Sequence, residues 1–346
     1  MSGKKPTIST IAKLTGLSLA TVSRALAGAN SVLPPTRDRV LQVAKELNYV
    51  RDRAAVRLKT GKTYVVAFLM NRLDANQPAF KDLLLGVSDA LSDTDYHMIV
   101  LPESIDGDGL ETLRYVVDRG LADAMVLTHT KPQDARVQYL LDKQFAFATH
   151  GRTRMGHKQS MCDGFGHAHP FVDFANEQYA QLAVDALVAR GRTKLAILLP
   201  REGGTFRLHL VEGFMQACER AKVHGVTVPN LDMDGSAEHI YTWAAQQAFQ
   251  FDGLIVTRES PLVALLGGLG DAQLKLGQHL DLVTKYSTSW PVYLRQPLLG
   301  CFEDIELTGR TIAKRLLHQL DPANHALPAT YLFTPPPIEE NIHDHR

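Results

Sequence analysis

The 346-residue chain is 45% apolar and 21% charged, enough to build cores for two or three domains and too apolar to be disordered throughout. No apolar run approaches the roughly 20 residues a membrane helix needs, and the opening MSGKKPTIST has two lysines with no apolar stretch behind them, so neither a bilayer span nor a secretory signal is expected. The 37 basic and 37 acidic residues cancel, but residues 1–60 hold 11 basic and three acidic side chains, a net of +8, which leaves −8 for the remainder. A small basic head on an acidic body points to a polyanion as the partner of the head. Three cysteines (Cys162, Cys218, Cys301) read as reduced thiols in a cytoplasm.

In chain order, Thr7 is placed to cap a helix whose apolar positions Ile8, Ile11, Ala12 and Leu14 follow helical spacing. Gly16 stops it, and Ser18 is a natural cap for a second helix ending at Leu26, with Val22, Ala25 and Leu26 inward. A third begins near Pro35 and is expected to bury Val40, Leu41, Ala44 and Leu47. Three short helices with a glycine turn between the first two predict a helix-turn-helix.

The string TISTIAKLTGLSLATVSRALAGA and the following TRDRVLQVAKELNY resemble the DNA-binding head of the LacI/GalR family of ligand-responsive bacterial transcription regulators. The match is dense over about the first 60 residues and looser beyond. It implies that the second helix enters the major groove. Leu19 and Ala20 then stand where operator preference varies, and Arg24 reads a guanine edge. Thr21 and Ser23 offer hydroxyls to phosphates, and Thr7 and Ser18 are expected among the DNA contacts. The family often has Asn where this chain has Ala27, which removes one polar contact.

Residues 52–60, DRAAVRLKT, predict a short helix with Ala54, Ala55 and Leu58 on one side, too short to be stable alone. The resemblance makes it a hinge helix that folds on DNA in a dimer. Leu58 would be the minor-groove wedge, with Ala55 and Lys59 beside it. Arg51 replaces the proline common before this helix.

From Tyr64 short apolar runs alternate with amphipathic stretches, which predicts parallel sheet covered by helices. The expected fold is an all-α head plus hinge helix joined to a two-lobed α/β sensor of the periplasmic-binding-protein-like kind. The boundaries are 1–51 for the head, 52–62 for the hinge and linker, and 63–346 for effector binding and dimerisation. Within the body, the first lobe takes about 63–170 and 298–325, the second about 171–297 and 326–346.

In open parallel sheets, ligands sit beyond the carboxyl ends of the strands. Those ends are basic here: His129, His150, Arg152, Arg201, Arg258 and Lys285, with Arg207 and His209 nearby. Guanidinium forks would suit a sugar phosphate or sugar acid. Asn71, Asn76, Phe80, Asp173 and Trp290 would supply hydroxyl readers and an aromatic platform. Several positions depart from the sugar-binding pattern of the family: Leu210 where an Arg is usual, Arg258–Glu259 for Asn-Asp, and KYSTSW (285–290) for a strand followed by Asp-Asp.

His157, Cys162, His167 and His169 cluster without the spacing of a closed zinc site, so no metal is expected. GGLGD at 267–271 is not a dinucleotide fingerprint, and no catalytic motif occurs. The expectation is a cytoplasmic regulator, not an enzyme, without cofactor and without a membrane. A repressor role is favoured. It would bind double-stranded, pseudo-palindromic operator DNA as a homodimer or tetramer and answer to a small sugar or sugar phosphate. The competing classes are an extracytoplasmic sugar-binding protein and an enzyme of sugar phosphates.

Overall fold

The computed structural model describes residues 6–26, 28–29, 31–50, 53–71, 77–103, 109–153, 169–200, 204–321, 323, 330–340 and 342. The chain forms two compact units, Met1–Thr63 and Tyr64–Arg346.

The first unit holds α1 (Ile8–Thr15), α2 (Leu19–Leu26), α3 (Pro34–Glu46) and α4 (Arg53–Thr60). Thr7 and Thr10 form a reciprocal capping box at the start of α1, satisfying two backbone donors that a helix start leaves open. Gly16 ends the helix at φ 68°, a left-handed conformation that favours a residue without Cβ. Ile11, Val22, Ala25, Val32, Val40 and Ala44 make the core. Arg37 donates to the carbonyls of Ala29 (2.9 Å) and Val32 (3.4 Å), fixing the loop between α2 and α3. Leu41 departs from expectation: it is 46% exposed. The inward stripe of α3 runs through Val40, Val43, Ala44 and Leu47, and Leu41 falls beside it.

The second unit contains two parallel sheets. One is built from β1 (Val65–Met70), β2 (His97–Pro102), β3 (Ala124–Leu127), β4 (Ala146–His150), β5 (Phe171–Phe174) and β11 (Thr330–Phe333), in the order β11-β5-β4-β3-β1-β2. The other has β6 (Lys194–Leu198), β7 (His224–Thr227), β8 (Gly253–Val256), β9 (Asp281–Tyr286) and β10 (Leu299–Phe302), in the order β10-β9-β8-β6-β7. Strands such as β3 and β8 are buried at every position, the signature of a sheet covered on both faces. The covering helices are α5 (Pro78–Leu91), α6 (Leu110–Asp118), α7 (Ala135–Asp142) and α12 (Ile305–Leu320) for the first sheet. For the second they are α8 (Asn176–Ala189), α9 (Thr205–Ala221), α10 (Ala237–Gln247) and α11 (Leu262–Asp271).

The lobe boundaries differ from the sequence expectation. Strand β5 pairs with β4 and β11, so Phe171–Phe174 and Thr330–Phe333 both belong to the first lobe, not the second. Strand β10 pairs with β9, so Leu299–Phe302 belongs to the second. The chain therefore crosses after β5, after β10 and again after β11, where Glu339 bridges to Gly300 and Ile342 joins the second core. Four-residue apolar strands look alike in sequence; only their pairing assigns a lobe.

Candidate functional site

The head presents one face of α2 to solvent. Leu19 is 56% exposed, and Ser18, Ala20 and Arg24 are exposed beside it, while Thr21 and Ser23 are half-buried. The Ser18 hydroxyl accepts from the Thr21 amide (3.1 Å) and lies 2.9 Å from the Thr21 hydroxyl. Arg24 Nε donates to the Ala20 carbonyl (3.3 Å), which lays the guanidinium along the helix. The helix contains no acid. Such a surface of one cation, short hydroxyls and small apolar groups suits a major groove. On α4, Leu58 is 91% exposed and Ala55 is exposed. Among the described residues, the Leu58 side chain buries almost none of its surface. Ala27, Arg51 and the Lys59 side chain lie outside the described residues.

In the body, a cleft of about 550 Å³ opens between the carboxyl ends of the two sheets. Eight of the expected ligand residues line it: Asn71, Phe80, His129, His150 and Asp173 from the first lobe, and Arg207, Arg258 and Lys285 from the second. Three do not. Arg152 turns into a buried cluster, pairing with Asp173 (3.1 Å) and Glu177. His209 is buried on α9 with Nδ1 4.0 Å from Asp173. Trp290 packs on the apolar core of the second lobe, where it opens a short 3-10 helix. Asn76 and Arg201 lie outside the described residues, as do His157, Cys162 and His167.

The cleft is less cationic than its basic residues suggest. Lys285 Nζ sits 2.6 Å from Glu303 and 2.9 Å from Asn176 Oδ1. Arg258 Nε lies 3.3 Å from Asp234, and Arg207 donates to the Pro200 carbonyl (2.7 Å). Two of the four cations among the described lining residues, Lys285 and Arg258, are paired, and Glu259 adds an acid to the lining that holds Lys131 and Arg207. The expected anion cradle is thus largely neutralised by acids distant in sequence. Burial pushes the Asp173 carboxyl up to about 7 despite the neighbouring Arg152 guanidinium; its Oδ2 accepts no aligned hydrogen bond.

Sequence reasoning missed several lining residues. Phe206 presents an aromatic ring 4.5 Å from Lys285 Nζ and 5.3 Å from the Arg258 guanidinium carbon, the platform role assigned to Trp290. Glu259 accepts from the amides of Ser287 (3.1 Å) and Thr288 (3.2 Å), folding the turn after β9. Gln77 joins the lobes, donating to Asp234 (3.2 Å) and accepting from the Ser260 hydroxyl (3.1 Å). Thr205 makes a second junction: its amide donates to the Thr130 carbonyl (2.9 Å), and the two hydroxyls lie 2.6 Å apart. None carries a motif; a polar residue beside Pro78 and an aromatic one after two glycines were the only hints.

A helix-turn-helix head on the same chain as a two-lobed body with an inter-lobe cleft defines a DNA-binding transcription regulator. Residues 7–52 match the profile of "Bacterial regulatory proteins, lacI family", and residues 184–339 that of a "Periplasmic binding protein-like domain". The chain thus carries a lacI-family helix-turn-helix domain followed by a periplasmic-binding-protein-like domain. It is 26% identical over 324 residues to the HTH-type transcriptional regulator AglR of Rhizobium meliloti (strain 1021), covering 89% of this chain and 86% of that protein. Against the HTH-type transcriptional regulator RafR of Escherichia coli the figures are 29% over 223 residues, 64% and 62%. Two solved structures share the fold. One is a lac repressor dimer bound to operator and the anti-inducer ONPF (TM-score 0.80, 17% identity, covering 98% of this chain and 99% of that one). The other is a transcriptional regulator CelR–cellobiose complex (TM-score 0.66, 19% identity, 97% and 99%). No described helix is long and apolar enough to cross a membrane.

Proposed function

We propose that this protein is a cytoplasmic repressor of carbohydrate uptake or metabolism genes whose grip on operator DNA is set by a neutral sugar held in the cleft. The observation that carries the effector assignment is the pairing of charge inside the cleft: Lys285 with Glu303 and Arg258 with Asp234. Paired ions keep donors and acceptors for hydroxyl groups while giving a phosphate no net field. Phe206 and Phe80 add apolar faces for a sugar ring. The relatives and neighbours include a sucrose operon repressor, a maltose regulon regulatory protein and a cellobiose complex, which supports a saccharide class.

On the DNA side, Arg24, Leu19 and Ala20 read base edges, Thr7, Ser18, Thr21 and Ser23 fix register on phosphates, and Ala55, Leu58 and Lys59 act in the minor groove. One short recognition helix spans few base pairs, so a homodimer on a pseudo-palindrome, alone or paired into a tetramer, follows from the need for two half-sites. The exposed Val263 and Tyr293 of the second lobe offer apolar surface to such a partner.

The test is capture of genomic fragments by the purified chain, followed by footprinting with neutral mono- and disaccharides and with their phosphates. A protected pseudo-palindrome whose occupancy changes with a neutral saccharide is expected. Protection altered only by phosphorylated sugars would overturn the effector reading, and no protected stretch at low salt would overturn the DNA reading.

A further inference from the structure

Arg136 is the second residue of α7 and, among the described residues, the largest wholly buried side chain, 2% exposed. Its guanidinium binds on every edge. Nε and Nη2 donate to the two Asp134 oxygens (3.0 and 2.7 Å), and Nη1 meets Glu103. Nη2 also donates to the carbonyls of Thr128 and His129, both at 3.0 Å. Burial works against the charge, but the bonds to Asp134 and Glu103 outweigh it and hold the guanidinium above its ordinary pKa.

This is more apparatus than a helix start needs. Asp134 caps α7 through the Arg136 amide (3.0 Å) and also accepts from the Lys131 amide (3.1 Å). Glu103 accepts from Asn71 Nδ2 (2.9 Å), a cleft residue. Gly109, at φ 79°, makes the room: a Cβ there would stand 2.8 Å from Arg136 Cδ and 3.0 Å from Glu103. His129 has φ 49°, a left-handed conformation that a residue with a side chain occupies at a cost. Thr128, His129, Thr130 and Lys131 all line the cleft, and Thr130 reaches across it to Thr205.

We infer that Arg136 is a positioning residue of the cleft: by gripping two successive carbonyls it holds the 128–131 bend that presents His129 to a bound molecule and Thr130 to the opposite lobe. A planar fork can satisfy two carbonyls and a carboxylate together; a lysine ammonium at the same place cannot. The ligand reading supplies only the use of the bend. The experiment needs no ligand, so the two assignments fail separately.

The test is hydrogen–deuterium exchange of the full chain, followed by mass spectrometry, for wild type, Arg136→Lys and Arg136→Lys/His129→Gly. Losing the carbonyl clamp should speed exchange in peptides covering 128–133 and 204–208 by roughly tenfold, with 137–143 unchanged. Glycine at 129 adopts the bend without strain, so the double variant should recover about threefold of that loss. A rise spread evenly through β3 and α7, no local rise, or no recovery would each overturn the inference. Should Arg136→Lys fail to fold, His129→Gly alone decides. Its melting temperature should rise by about 1–3 °C if the clamp holds a strained bend, and a fall counts against it.

Discussion

Gln77 offers a direct way to weigh lobe closure. Its side chain makes two bonds across the cleft, one to the Asp234 carboxylate at 3.2 Å and one from the Ser260 hydroxyl at 3.1 Å. Gln77→Ala removes both and nothing else between the lobes. A neutral bond contributes about 0.5–1.5 kcal/mol net and one to a charged group about 1.5–3; half-burial of the site places the sum near 2 kcal/mol. That is roughly a 30-fold shift from closed to open. The Thr130–Thr205 junction remains, so the lobes stay tethered on that side. Single-molecule energy transfer between dyes on α6 and α10 reads the ratio without any ligand. A closed fraction within twofold of wild type would refute the assignment of Gln77 as a latch.

Arg24→Ala should cost about 1–3 kcal/mol of discrimination between operator and random duplex, read by competition anisotropy; an equal loss on both would remove Arg24 from base reading. Leu58→Ala should leave the melting curve of the head unchanged, because the side chain is already bare, while lowering operator affinity and the bend angle in a permuted-fragment gel. The Asp173 carboxyl, raised by burial to about 7, binds its proton more tightly in the folded state than in the unfolded one. Folded stability should therefore fall as pH rises from about 4 to 7 through this group. Asp173→Asn should flatten that slope in denaturant titrations; an unchanged slope means the carboxyl is ionised throughout.

The head was legible because its determinants are local. Thr7, Gly16 and Ser18 punctuate helices within a few residues of where they act, and the buried stripe of α1 and α2 follows from spacing alone. Leu14 and Leu41 misled: both lie beside the buried stripe and are 58% and 46% exposed. The lobes were legible as alternating strand and helix, but FVDF and LGCF carry no mark of the sheet they join. In the cleft, the sequence showed the cations and hid their partners. Lys285 meets Glu303 and Arg258 meets Asp234 only once strands from far along the chain are aligned. Arg136 reads in sequence as one more basic residue on an amphipathic helix; its burial depends on Glu103, 33 positions earlier.

Closure of the cleft and grip on DNA can be linked without knowing the natural ligand. Thr130 and Thr205 face each other with their hydroxyls 2.6 Å apart, close enough for Thr130→Cys/Thr205→Cys to form a disulfide across the lobes. Operator affinity of this variant, measured by anisotropy in oxidised and reduced form on the same captured duplex, isolates the coupling. At least a fivefold difference is expected, the low end of allosteric coupling, reversed by reductant. Equal affinities, with the bond confirmed by mass spectrometry, would contradict it.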